Sequence, residues 1–239
     1  MKLKNIISYA IIVTLTLMIL FSPQKVTAKY ENRTSQNLIY LTFDDGPSDD
    51  VTNEILDILK SQNVKATFFV IGYKLDGRET ILKRMKNEGH SIGLHTFTHD
   101  YAKIYKNSDS FINEMNESAK SIKNILGFSP RIIRFPSGSK GHMDEDLFNK
   151  LHCLGYKIFD WNICLSDGLD HNTPVNKLYN QGTEKCINPN RVFLLAHCSG
   201  NNQNTCNALP KIIEHYKSLG YKFMPITENT PEYHFRVSK

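Results

Sequence analysis

From Leu38 onward the chain alternates about seven times between a short apolar run rich in β-formers and a longer stretch of helical periodicity. The strand candidates are "LIYLTF" (38–43), "KATFFVIG" (65–72), "HSIGLH" (90–95), "RIIRF" (131–135), "YKIFDWNI" (156–163), "RVFLLAH" (191–197) and "YKFMPI" (221–226). Between them lie helical patterns. In "VTNEILDILKSQ" (51–62) Val51, Ile55, Leu56, Ile58 and Leu59 share one face, with Ser48 or Asp49 as candidate caps. Others cover 79–89, 109–127, 144–155 and 208–220, with a weaker one after Pro174; Gly89, Gly127, Gly155 and Gly220 supply left-handed C-caps. Parallel strands need long crossovers, so this alternation demands a parallel sheet covered by helices, either closed as a barrel or open and doubly wound. No G-x-G-x-x-G follows a strand and no G-x-x-x-x-G-K is present, so nucleotide binding has no support.

The N-terminus is of another kind. Lys2 and Lys4 precede the uncharged stretch Ile6–Phe21, and "SPQKVTA" ends in an A-x-A-like site. Residues 1–28 therefore read as a secretory signal cleaved after Ala28, with an uncleaved anchor as the alternative. Residues 29–37 form a polar linker, and residues 38–239 a single domain. The domain is expected to be secreted or held at the cell surface, and to meet a membrane only through the signal segment. Without residues 1–28 the formal charge falls from +5 to +2, with no run of five or six like charges, so nothing suggests a nucleic-acid surface. Export makes disulfides feasible for the five cysteines, either as two bridges and one free thiol or as none, with five buried thiols. No C-x-x-C is present.

Polar residues stand at five strand ends. Asp44 and Asp45 follow the first strand, His95 and His99 the third, Arg134 the fourth, Asp167 the fifth and His197 the sixth. In a parallel α/β fold these ends face one side, where sites are built. Singly, each has an ordinary reading: a turn at Asp-Asp-Gly-Pro, a surface ion pair at Arg134, a loop cap at Asp167, a satisfied buried histidine at His197. Together, two histidines and a carboxylate with an open position, beside a second carboxylate, a third histidine and an arginine, have the composition of a hydrolytic metal site.

"TFDDGP" (42–47), "HTFTH" (95–99), "RFPSG" (134–138), "DWNICLSDG" (160–168) and "LLAH" (194–197) resemble, in order and spacing, the five motifs of the NodB-like polysaccharide deacetylases, carbohydrate esterase family 4. The resemblance runs from about residue 38 to 227, and the pattern is closest to the peptidoglycan N-acetylglucosamine deacetylases. It implies a distorted (β/α) barrel of about seven parallel strands and one divalent metal, Zn2+ first, with Co2+, Ni2+ or Mn2+ as alternatives. It assigns Asp45, His95 and His99 as ligands, Asp44 as general base and His197 as general acid. Arg134 would hold the base and Asp167 orient the histidine. Pro136 and Ser137 would meet the substrate, the Ser137 N–H holding the oxyanion, and Leu195 would wall the acetyl methyl.

The implied partner is a cell-wall glycan acted on by a monomer, with peptidoglycan GlcNAc as the first expectation. Chitin oligomers and O-acetyl-xylan are rivals within the same chemistry. A catalytically silent wall-binding protein is a rival of another class, which an Asn at position 44 would have favoured. Two departures stand out. Ser137 replaces an aromatic residue, and Gly168 replaces a tryptophan, which should loosen the acyl pocket. Trp161 is expected in the core, and Cys198 turned away from the metal. Gly46 and Pro47 are expected to supply the bend that brings Asp44 and Asp45 to one site.

Overall fold

The structure, a computed structural model, describes residues 36–184 and 188–238. The signal segment, nearly all of the linker and Cys186 lie outside the described residues.

Eight strands form one sheet: β1 (Leu38–Gly46), β2 (Thr67–Val70), β3 (Ser91–Leu94), β4 (Ile132–Ile133), β5 (Lys157–Ile158), β6 (Ile163–Cys164), β7 (Arg191–His197) and β8 (Lys222–Phe223). Their order is β5-β4-β3-β2-β1-β7-β6, with β8 beside the start of β1, and every pairing is parallel. Between the strands run the crossover helices α1 (Val51–Ser61), α2 (Glu79–Asn87), α3 (Tyr101–Ile104), α4 (Ser108–Leu126), α5 (Glu145–Cys153), α6 (Val175–Gly182) and α7 (Gln203–Ser218). The sheet curls into a half-barrel of the (β/α) type. Asn107 and Asp144 cap α4 and α5 with their side chains, and Gly127 ends α4 at φ 80°.

Both faces of the sheet are buried, which is why its strands read as continuous apolar runs rather than alternating ones. One side chain in two points outward, toward the helices: Ile39, Leu41 and Phe43 of β1 and Val192, Leu194 and Ala196 of β7 pack with Ile55, Leu56 and Leu59 of α1 and Ile212 and Ile213 of α7. The others point inward, where Tyr40, Phe69, Ile132, Phe159, Phe193 and Ile226 form a second cluster. Within it Tyr40 stacks on Phe193 at 4.6 Å and Phe193 on Tyr233 at 5.0 Å.

"YKIFDWNI", expected as one strand, is broken in two. Its first part pairs with β4 as β5 and its last part with β7 as β6, so one run of sequence supplies both ends of the curled sheet. Residues 159–162 cross the gap because their backbone finds partners elsewhere. Asp160 N–H donates to the Tyr233 carbonyl, and the Asn162 side chain bonds Phe193 N–H and the Arg191 carbonyl. The C-terminal tail fills the gap: Phe159 bridges Tyr233, and the Glu232 carboxylate accepts Ile158 N–H and pairs with His152 at 2.9 Å.

Cysteine chemistry differs from both expectations. Among the described residues four cysteines are free, which excludes two bridges; Cys198 and Cys206 are buried, but Cys153 and Cys164 are exposed. Cys153 closes α5, and Cys164 ends β6 on the wall of a cleft.

Truncating Phe193 to alanine removes the ring between Tyr40 and Tyr233. We expect a loss of about 3–5 kcal/mol of stability in urea unfolding. A loss below about 1 kcal/mol would show that the barrel interior is not close-packed.

Candidate active site

The bend at the end of β1 begins earlier than Gly46. Asp44 pairs with Phe69 and Gly46 with Val70, so Asp45 is an extra residue, a bulge, and its φ is +69°. In a regular strand adjacent side chains face opposite sides. The bulge turns Asp45 back so that both carboxylates reach the same cleft. Gly46 has a different duty, since a Cβ there would lie 2.6 Å from Cys198 Sγ.

His95 continues the ladder beyond β3, its N–H bonding the Val70 carbonyl. Thr96 (φ 65°) and His99 (φ 54°) then fold the chain back, so the histidine pair sits on a bent loop. Glu114 of α4 holds that loop: its buried carboxylate accepts Phe97 N–H (2.9 Å), Thr98 N–H (2.7 Å) and the Thr98 hydroxyl (3.0 Å). Sequence reasoning missed Glu114. Its signal was a charge on the apolar face of an amphipathic helix, between Phe111, Met115 and Ser118.

Asp45 Oδ1 lies 3.4 Å from His95 Nε2 and 3.3 Å from His99 Nε2. It is buried and has no well-aligned hydrogen bond among the described residues. His95 Nδ1 is 3.0 Å from the Arg134 carbonyl. A carbonyl only accepts, so Nδ1 carries a proton, and Nε2 is the nitrogen that faces Asp45. Burial, then His95, pushes the His99 pKa below its ordinary value. Burial disfavours charge on Asp45 too, but the surrounding His95, His197 and His99 outweigh it and hold its pKa low. One ligand atom from each of the three lies within 4.8 Å of the others. Imidazole nitrogens and a carboxylate around an orphaned oxygen fit a divalent cation.

Arg134 makes no surface ion pair. It is wholly buried, and its guanidinium donates to four groups: the Asp44 carboxylate (2.9 Å), the Thr42 hydroxyl (2.7 Å) and the carbonyls of Phe159 (2.8 Å) and Asp160 (3.1 Å). It also lies 4.2 Å over the Phe69 ring. Asp44 is thereby held by one oxygen, while Oδ2 stands 3.7 Å from His95 Nε2.

His197, opposite Asp44 in the β1–β7 register, is anchored by Asp167. One Asp167 oxygen lies 2.8 Å from Nδ1; the other accepts His197 N–H (2.8 Å) and the Thr205 hydroxyl (2.7 Å). Burial works against the imidazolium, but the Asp167 hydrogen bond and charge, with Asp44 and Asp45, raise the His197 pKa to about 9. Gly168 lies flat against this ring: a Cβ would come within 2.3 Å of Cε1, so a larger residue would displace the histidine as placed.

Asp44, Asp45, His95, His99, Gly168 and His197 line a cleft of about 270 Å³ together with Ser137, Leu165 and Leu195, while Arg134 and Asp167 stand behind it. Trp161 lines it as well, while also packing against the inward-facing cluster; it is half-buried, with Phe235 of the tail edge-on to its ring at 5.3 Å. Tyr101 and the exposed Leu169 form part of the rim; both sit outside the strands, where no periodicity marks them. Cys198 is buried on the far side, its Sγ 3.3 Å from the Asp44 carbonyl.

Residues 31–159 match the family described as Polysaccharide deacetylase. A peptidoglycan-N-acetylglucosamine deacetylase of Bacillus cereus is 36% identical over 211 residues, covering 87% of this chain and 74% of that protein. A chitin deacetylase of Colletotrichum lindemuthianum is 31% identical, covering 82% and 80%. Among solved structures, a polysaccharide deacetylase of Bacillus cereus superposes with a TM-score of 0.72 at 36% identity, over 84% of this chain and 96% of that one. A Streptococcus mutans esterase of carbohydrate esterase family 4 superposes at 0.74 and 33%, over 79% and 85%. This chain belongs to the polysaccharide deacetylase family, and it is a hydrolase of that class.

Because the folded His197 pKa is raised above 6.5, its pairing with Asp167 stabilises the fold fully below pH 6.5, and that contribution is lost as the pH rises through about 9. In chelator-treated protein, histidine NMR should place His197 near pH 9, and Asp167→Asn should bring it down toward 6.5. A value unmoved by the substitution would show that Asp167 does not set it.

Proposed function

We propose that the chain is an exported, metal-dependent N-deacetylase of amino sugars in a cell-wall polysaccharide, with peptidoglycan GlcNAc as its substrate. One observation carries the reading. Asp44 and His197, each anchored from behind by a buried partner of opposite charge, flank the Asp45–His95–His99 triad in one cleft. The Bacillus cereus relative supports the choice of polymer. The basic start and uncharged stretch of residues 1–28 support export.

A divalent cation held by Asp45, His95 and His99, Zn2+ in the first instance, would polarise the acetyl carbonyl and acidify the attacking water. Asp44, oriented by its hydrogen bond from Arg134, takes the proton from that water. The Ser137 N–H donates to the oxyanion of the tetrahedral intermediate. His197, with its Nδ1 proton on Asp167, presents Nε2–H to the departing nitrogen, and the products are acetate and a free amine. Leu195 and Leu165 give the acetyl methyl an apolar wall. A silent binding protein would have no use for a carboxylate buried and aimed at the cleft as Asp44 is.

Acetate release measured on peptidoglycan, chitin oligomers and acetyl-xylan, with and without chelator, tests substrate and metal together. Activity on acetyl-xylan alone, or activity indifferent to chelation, would overturn the proposal. Asp44→Asn should abolish turnover while the metal stays bound; near-normal turnover would remove Asp44 as the base. His95→Ala should lose both metal and activity, and full metal occupancy in that variant would take His95 out of the ligand set.

A further inference from the structure

The Pro136–Ser137 peptide is held in an orientation that serine does not favour. Gly138 N–H bonds the Phe135 carbonyl at 2.9 Å, closing a four-residue turn with Pro136 at its second position and Ser137 at its third. Ser137 has φ +59°, so the turn is of type II, a form that asks for glycine at this position. The common type I turn differs chiefly by a flip of this central peptide, and serine accepts it without strain.

Two hydroxyls oppose that flip. Tyr105 Oη donates to the Pro136 carbonyl at 2.6 Å, and Ser137 Oγ donates to the same oxygen at 2.7 Å. The tyrosine is aimed by packing: its ring stacks on His142 at 3.8 Å and lies beside Phe111 at 6.0 Å. In a trans peptide the C=O and N–H point opposite ways. Tyr105 does not line the cleft and Ser137 does, so a carbonyl drawn toward Tyr105 sends the Ser137 N–H to the cleft side. That N–H has no hydrogen-bond partner among the described residues. A carbonyl accepting two hydroxyls also polarises its own peptide and strengthens the donor at the other end.

We propose that Tyr105 is a positioning residue for deacetylation: its hydroxyl selects the type II turn and so aims the Ser137 N–H at the oxyanion. This rests on the deacetylase reading. Tyr105 does not touch the substrate, and its effect passes entirely through the peptide it holds. An adventitious hydroxyl–carbonyl contact would leave the turn unchanged when removed; a selecting one would not.

Tyr105→Phe keeps the stacked ring and removes only the hydroxyl. We expect kcat for acetate release to fall by about tenfold or more with KM within about twofold, the mark of an interaction made in the transition state. Adding Ser137→Gly, which adopts positive φ freely, should recover most of that loss. A crystal structure of Tyr105→Phe should show the Pro136–Ser137 peptide flipped and Ser137 φ negative. A kcat within twofold of wild type, a turn that keeps positive φ, or a double variant no faster than Tyr105→Phe would overturn the proposal. Wild-type protein silent on every substrate would instead overturn the deacetylase reading, and the variant's turn geometry would still decide whether Tyr105 sets the peptide.

Discussion

The guanidinium of Arg134 is the interaction on which the rest depends. Burying a cation costs several kcal/mol unless it is paired and fully hydrogen-bonded. Here the compensation comes from the Asp44 carboxylate, the Thr42 hydroxyl, two backbone carbonyls and the Phe69 ring. Those partners lie on β1, on β2 and at the break between β5 and β6. Curling the sheet and orienting the carboxylate beside the cleft are therefore one event. Asp160 extends the network: its carboxylate accepts Ser139 N–H at 3.0 Å and Phe235 N–H at 2.7 Å, tying the 135–139 turn to the C-terminal tail.

Two histidines in this cleft differ in what stands behind them. His95 donates its Nδ1–H to a backbone carbonyl, a neutral acceptor, and turns Nε2 to the cleft. His197 gives its Nδ1 proton to a carboxylate, which favours the cation. In the proposed mechanism the first would hold a metal ion and the second deliver a proton. The chemistry lies less in the histidines than in their partners.

Much of the fold was legible because burial on both faces of a parallel sheet writes itself into the sequence. "LIYLTF" and "RVFLLAH" are apolar throughout for that reason, and they became the two longest strands. "YKIFDWNI" looked the same and was not one strand, because its middle residues bond backbone groups of β7 and of the tail, 29 or more residues away in sequence. Trp161 reads as core in an apolar run and does pack against the inward cluster, but only the fold shows that it lines the cleft too. Glu114 left a faint signal as a charge on an apolar face. Tyr105 left none, since nothing in "YAKIYKN" indicates which carbonyl its hydroxyl will meet.

The sequence by itself determined the alternation of strands and helices, the side of the sheet on which polar residues gather, and the residue types that gather there. These follow from periodicity and from the common polarity of parallel strands, which are local properties. Only the tertiary structure decided the bulge at Asp45, the break at 159–162, the partners of each histidine and the flip of the Pro136–Ser137 peptide. Each of these turns on a hydrogen bond or a packed ring between segments far apart in the chain. Whether such a partner arrives is settled by the closing of the sheet, not by the neighbours in sequence.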